Sequence, residues 1–175
     1  MLEGGLRQIP QESIYHQVFD TVKAFWESRQ GNWKDCLDML RKNYWRDSFG
    51  GNCHIIPNAG IMALALYYGE GDFSKTLEIC NRCGFDTDCN VGNLGAMMGV
   101  LTGLEGISDS WREPINDFYA CSSLIGALNL QDAASFALNL AKYAGRMGYS
   151  IPNDINYLPK INFRLKGSSH AQLRQ

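Results

Sequence analysis

Apolar residues recur every three or four positions through much of the chain, which is the spacing of an amphipathic helix. In the first such segment the apolar positions include Ile14, Val18 and Val22. The same pattern predicts helices over residues 11–29, 33–44, 73–83 and 131–147. No segment alternates apolar and polar residues strongly enough to predict a strand. The sequence therefore predicts an all-α fold, built as a compact orthogonal bundle of helices.

Two further segments predict helices of a different kind. Residues 54–68, HIIPNAGIMALALYY, are apolar on nearly every side, which predicts a central, buried helix. Residues 90–104 are rich in small side chains, and Gly95, Gly99 and Gly103 fall four residues apart on one stripe. Glycine costs a helix roughly 1 kcal/mol relative to alanine. We therefore expect the backbone of another segment to approach this stripe closely.

The composition is that of a soluble, single-domain protein. The chain has 175 residues, of which 45% are hydrophobic and 19% charged, and this length can bury a sizeable core. We expect one helical domain over residues 1–165 and a flexible tail over residues 166–175, KGSSHAQLRQ. The apolar run around residues 61–68 is too short to cross a bilayer, so no membrane association is expected.

Charge and cysteine content narrow the setting further. The net charge is -2, with both signs spread along the chain, which gives no electrostatic reason to expect a nucleic-acid partner. The first ten residues, MLEGGLRQIP, do not contain the apolar stretch of a secretory signal. The six cysteines, several of them within predicted helices, are interpreted as reduced thiols. Together these features favour a cytoplasmic location.

Two aspartates, Asp86 and Asp88, stand two residues apart directly after a break at Gly84. One interpretation is structural: one carboxylate caps the following helix, the other is exposed, and both interact favourably with the helix dipole. The other interpretation is that carboxylates between two apolar helices need a compensating charge. A hard cation that prefers oxygen ligands, such as Mg²⁺, would supply that charge. The residues alone leave both interpretations open.

Other residues also carry candidate chemistry. Cys80 and Cys83 form a C-x-x-C pair, but a redox pair normally has its first cysteine at a helix N-terminus, and this pair lies at the end of a predicted helix. A zinc site needs about four ligands, so structural thiols are preferred over a zinc-binding domain. His54 is interpreted as a capping or packing residue. Asn58 and Asn90 either orient ligands or satisfy backbone groups.

Residues 54–107, HIIPNAGIMALALYYGEGDFSKTLEICNRCGFDTDCNVGNLGAMMGVLTGLEGI, are followed by Trp111 and EPINDF. This sequence resembles the ADP-ribosylglycohydrolase family, all-helical hydrolases related to the enzyme that releases ADP-ribose from dinitrogenase reductase. The resemblance covers about residues 13–118. Its most specific part is the G-x-D-T-D element with the glycine-rich helix that follows it.

The resemblance implies a site for two divalent cations, Mg²⁺ or Mn²⁺, with Asp86 and Asp88 as ligands. The family usually has threonine directly after the second aspartate, where this chain has Cys89. A thiol is a poor ligand for Mg²⁺, so any metal contact by Cys89 is expected to be weak. The family's other ligands lie in an N-terminal half with an Asp-Asp element, and this chain has no Asp-Asp pair. The resemblance thus implies the C-terminal half of a family member, with the N-terminal half as a missing partner.

The activity that the resemblance implies is hydrolysis of an N- or O-glycosidic bond at the anomeric carbon of an ADP-ribosyl group. The substrate would be an ADP-ribosylated protein or small molecule. Asp86 and Asp88 would be catalytic through the cations, which position the ribose hydroxyls and the attacking water. The alternative is a noncatalytic helical module, or a degenerate family member, that kept the fold and lost the chemistry. The absent ligands and Cys89 favour this alternative.

Overall fold

The computed structural model describes residues 2–29, 31–115, 117–124 and 126–150. These residues form two units, with the division between Ile107 and Ser108. The predicted tail at residues 166–175 lies outside the described residues, as do residues 151–165 of the predicted domain. Both the tail and the extent of the domain therefore stay predictions.

The described part of the first unit contains six helices. They are α1, Leu2–Leu6; α2, Ile14–Ser28; α3, Trp33–Asn43; α4, Ile55–Gly69; α5, Phe73–Arg82; and α6, Thr87–Thr102. The first of these was not predicted, whereas α2 to α5 confirm the predicted helices to within three residues at each end. The local sequence explains these starting points. The side chains of Ser13, Asn32 and Asp72 each accept a hydrogen bond from a backbone N–H of the helix that follows.

Helix α4 lies at the centre of the first unit. Helices α2, α3, α5 and α6 all pack against it, and residues such as Ile61 and Leu64 are fully buried. The prediction of a central helix that is apolar on all sides is thus confirmed. Small residues allow the close packing: a side-chain carbon added at Gly60 would lie 2.9 Å from Leu40 Cδ2 and 3.2 Å from Val18 Cγ2.

Within the part of the chain that the structure describes, no other backbone approaches the glycine stripe of α6, which contradicts that prediction. Among the described residues, the atom nearest to a carbon added at Gly95 is Leu77 Cδ2, at 3.8 Å. For Gly99 it is Ile107 Cδ1, at 3.9 Å. Both are ordinary contacts with the ends of flexible side chains. The glycine at position 103 is explained by its backbone conformation. Gly103 follows the last residue of α6 and has a φ of 65°, which favours glycine.

The second unit contains a short pair of strands that the sequence pattern did not predict. Its α-helices and strands are α7, Asp109–Arg112; β1, Phe118–Ala120; β2, Leu130–Asp132; and α8, Ala133–Arg146, and two short 3₁₀ helices lie at Glu113–Ile115 and Gly126–Asn129. The strands are antiparallel, with Phe118 opposite Asp132. Since each strand has three residues, alternation is too brief to recognise. Strand β2 takes the first two positions of the helix predicted over residues 131–147, and Asp132 caps α8 by accepting from the Ser135 N–H at 2.8 Å.

The all-α class predicted from the sequence is confirmed. Eight α-helices account for most of the described residues, and the strand pair is a minor addition. The apolar helix α4 has 15 residues, whereas a membrane-spanning helix needs roughly 20. Within the part of the chain that the structure describes, no helix combines the length and apolarity needed to cross a membrane.

A close helix contact does occur at Gly69, the last residue of α4. A carbon added there would overlap Thr76 Oγ1 and lie 2.9 Å from the Thr76 Cα in α5. We expect Gly69→Ala to lower the free energy of unfolding by about 1–3 kcal/mol, because the backbone of α5 would have to move. Denaturant melts of the purified variant measure this change.

Gly99→Ala is the matched control for this substitution. A side-chain carbon added at Gly99 would make only an ordinary contact, at 3.9 Å from Ile107 Cδ1. Alanine also favours the helix by roughly 1 kcal/mol over glycine. The unfolding free energy should therefore stay the same or rise. A Gly69→Ala protein as stable as its parent would contradict the packing of α4 on α5.

Candidate metal centre

The predicted aspartates lie at the junction between α5 and α6. Gly84 has a φ of 71°, and Asp86 has φ 45° and ψ 48°, a left-handed conformation that aspartate tolerates better than most residues. Helix α6 begins at Thr87, three residues before its predicted start. Asp86 therefore stands immediately before the helix, whereas Asp88 and Cys89 lie in its first turn.

The three residues that the sequence predicts as ligands come together. One oxygen of Asp86, one oxygen of Asp88 and the Cys89 Sγ all lie within 4.8 Å of one another. Asp86 is half-buried, and the other two are exposed. Among the described residues, these three form the one group of three or more His, Cys, Asp or Glu side chains close enough to hold an ion. The carboxylates suit Mg²⁺ and Mn²⁺, whereas the thiol does not.

Asp86 occupies the N-cap position of α6 without capping it. Its side chain accepts no capping hydrogen bond from the backbone N–H groups of the first turn, unlike Asp72, which accepts from the Lys75 N–H of α5 at 2.6 Å. The Asp86 Oδ2 instead accepts from Asn58 Nδ2 in α4, at 2.7 Å. The capping interpretation therefore fails for Asp86. Asp88, in the first turn, remains in the favourable field of the helix dipole.

Two buried asparagines connect Asp86 with the core. Asn58 is 8% exposed and Asn90 is 1% exposed. The Asn90 Nδ2 donates to Asn58 Oδ1 at 3.1 Å and to the Phe85 carbonyl at 3.0 Å. The sequence left two roles open for these asparagines, orienting ligands or satisfying backbone groups. Asn58 contacts a candidate ligand, and Asn90 satisfies a backbone carbonyl.

Cys89 is electrostatically coupled to both aspartates. A hydrogen bond to Asp86 raises the pKa of the Cys89 thiol above its ordinary value, and the negative charges of Asp86 and Asp88 raise it further. The side chain is therefore a neutral thiol at neutral pH. Because a thiol binds metal as a thiolate, the structure supports the prediction of a weak contribution from Cys89.

Aromatic side chains hold the residue that precedes the first aspartate. Phe85 is 2% exposed, and its ring centre lies 4.8 Å from that of Trp45. The Arg46 guanidinium lies over the Phe85 ring at 5.3 Å. In the same loop between α3 and α4, Phe49 stacks on His54 with ring centres 5.1 Å apart. Sequence reasoning missed the arginine, because periodicity carries no signal for contacts between residues so far apart in the chain.

The remaining candidates have structural roles. His54 Nδ1 accepts from the Ile56 N–H at 3.2 Å, which confirms it as the cap of α4. Cys80 and Cys83 are buried, and burial raises the pKa of each thiol to about 12. Thiols that ionise so poorly are weak ligands and nucleophiles. The pair therefore fits the interpretation as structural thiols.

The helical fold and the G-x-D-T-D turn between α5 and α6 are the features in which the chain resembles glycohydrolases that act on ADP-ribosyl groups. A model of the ADP-ribosylglycohydrolase family matches residues 1–144 of the chain. The match covers most of the 175 residues, and the chain therefore belongs to this family. Neither a curated protein nor a solved structure matches it significantly.

The coupling between Cys89 and the aspartates can be tested by alkylation. In a Cys53→Ser, Cys121→Ser background, we expect iodoacetamide to modify Cys89 slowly at neutral pH and faster as the pH rises, since the thiolate is the reactive form. Asp86→Asn removes a negative charge and should shift the rate profile to lower pH. Mass spectrometry measures the rate. Asp38→Ala, which removes an exposed carboxylate from α3, should leave the profile unchanged. Coincident profiles for Asp86→Asn and its parent would rule out the coupling.

Proposed function

We propose that the protein hydrolyses the bond between the anomeric carbon of an ADP-ribosyl group and the N or O atom of its carrier. The carrier would be a protein or a small molecule. The observation that carries the proposal is the convergence of Asp86 and Asp88, in a member of this family, at the turn that the family motif marks. The six cysteines described are free thiols, which fits a cytoplasmic setting for the reaction.

Asp86 and Asp88 are the residues that would hold Mg²⁺ or Mn²⁺. Two carboxylates this close repel each other, and the hydrogen bonds of Asp86 with Asn58 and Cys89 offset that repulsion only in part. A bound divalent cation supplies positive charge that orients substrate hydroxyls and stabilises charge developing during hydrolysis. The contribution of this chain is to fix both carboxylates at the start of α6. Cys89 adds little to the binding of a hard cation.

We further propose that other segments complete the site. Asp86 and Asp88 offer two carboxylates, whereas a hard cation takes about six oxygen ligands. The resemblance to a family with additional ligands in an N-terminal half implies where the remaining carboxylates come from. On this proposal, hydrolysis needs both halves together, and this chain alone binds the cation weakly.

The metal-binding step can be measured on this chain alone. We expect a dissociation constant for Mg²⁺ of about 10⁻⁴–10⁻³ M, the range of the weakest protein sites for a hard cation. Chemical shifts of the Asp88 and Cys89 backbone amides, followed through a titration at fixed ionic strength, report the affinity. Cys89→Thr should raise the affinity for Mg²⁺, because a hydroxyl oxygen is a better ligand for a hard cation than a thiol. Micromolar affinity that survives an Asp86→Ala, Asp88→Ala double substitution would exclude this site.

Activity tests the whole proposal. Co-expression of this chain with the N-terminal half of a family member should give divalent-cation-dependent release of ADP-ribose, detected by chromatography over a panel of linkages. We expect Asp88→Asn to lower the rate by orders of magnitude, because it replaces an anionic oxygen ligand with a weaker neutral one. The control is Asn81→Asp, which exchanges the same two side-chain types at an exposed position near the end of α5.

A noncatalytic helical module gives a different result in the same assay. The assembled halves would fold and bind metal but release no ADP-ribose. Release that continues with Asp88→Asn and with chelator present would equally contradict a metal-dependent glycohydrolase. Either outcome leaves the family fold in place and removes the proposed chemistry.

A further inference from the structure

A buried amide pair contacts the candidate metal centre from the side of the protein core. Asn58 in α4 donates to the Asp86 carboxylate, and Asn90 in α6 donates to Asn58. We infer that Asn58, held by Asn90, is a positioning residue that fixes the Asp86 carboxylate for cation binding. The inference rests on the proposed function, since it concerns the cation that Asp86 and Asp88 would bind.

The hydrogen bonds allow one orientation of both amides. The Phe85 carbonyl can only accept, so Asn90 directs its Nδ2 toward that oxygen, at 3.0 Å. The second N–H of the same nitrogen points at Asn58, 3.1 Å away, where the partner atom is the acceptor Oδ1. The Asn58 Nδ2 is then the atom that lies 2.7 Å from the Asp86 carboxylate. A backbone carbonyl thereby sets the direction of the whole network.

Burial restricts both amides to this arrangement. Asn58 and Asn90 are almost fully buried, each in a helix of the packed core. An amide that rotated away would leave polar groups without water to replace the lost partner, which is unfavourable. Asp86 lies in a turn with a left-handed backbone and accepts no capping hydrogen bond from the backbone of α6, and its contact in that helix is the exposed Cys89 thiol. The Asn58 amide therefore links this carboxylate to a rigid part of the protein.

The geometry is compatible with a cation. The bond from Asn58 engages Oδ2 of Asp86, and a carboxylate has acceptor capacity for about four contacts. The contact can therefore fix the rotation of the carboxylate while acceptor capacity remains for an ion. Hydrogen bonds that orient ligands in this way typically change metal affinity about 10–100-fold.

Mg²⁺ titrations of single variants test this role. Asn58→Leu removes the donor but keeps a side chain branched at Cγ, so the space stays filled. We expect this variant to bind Mg²⁺ about tenfold more weakly or worse, measured from the Asp88 and Cys89 amide shifts in a protein whose circular dichroism shows it folded. Asn90→Ala should weaken binding in the same direction, since it lets the Asn58 amide turn. Asn81→Leu, an exposed asparagine of α5, is the matched control and should not change the affinity.

Double variants separate positioning from general structural damage. With Asp86→Asn already present, Asn58→Leu should have no further effect on Mg²⁺ affinity, because it acts through that carboxylate. With Asn58→Leu present, Asn90→Ala should add nothing. Independent, additive losses would overturn the inference.

The outcomes also distinguish this inference from the proposed function. A folded Asn58→Leu protein with the parent's Mg²⁺ affinity overturns the positioning role and leaves the metal site intact. A parent protein whose signals do not respond to Mg²⁺ overturns both. If Asn58→Leu does not fold, the Mg²⁺ affinity of a folded Asn90→Ala protein, compared with that of the parent, decides on the positioning role.

Discussion

One hydrogen bond, from the Asn58 amide to the Asp86 carboxylate, joins the core of the first unit to the candidate metal centre. Asn58 belongs to α4, whose position is set by four helices that pack around it. Asp86 belongs to a turn between two helices, where the local sequence constrains a side chain far less. The position of the carboxylate therefore depends on the packing of the core. Any change that displaces α4 from α6 would act on the metal centre as well.

The helices of the first unit could be predicted because their causes are local. Periodic apolar residues and a capping side chain determine where α2, α3 and α5 begin. The start of α6 was placed three residues too late because the polar residues of its first turn continue the break that begins at Gly84. The glycine stripe was misjudged for another reason. Close backbone approach depends on the neighbouring helix, and the contact at Gly69 arises from Thr76 across a turn.

The site itself was only partly predictable. The G-x-D-T-D element identified Asp86 and Asp88 by resemblance, and the structure brings them together with Cys89. Local reasoning could not choose between capping and metal binding, because the choice depends on what the Asp86 carboxylate contacts. That partner, Asn58, lies 28 residues earlier in the chain. The apolar pattern of α4 marks this asparagine as buried among helices but does not reveal which carboxylate it meets.

Cys89 differs from the two aspartates of the candidate metal centre in its ionisation. The carboxylates that attract a hard cation also raise the pKa of the thiol, through the hydrogen bond to Asp86 and the charges of both aspartates. A protonated thiol is a poor ligand for zinc and other soft metals, which bind the thiolate. The raised pKa of the thiol thus leaves Asp86 and Asp88 as the stronger candidate ligands of the three. A bound cation would reverse the effect on the thiol, since nearby positive charge lowers a thiol pKa.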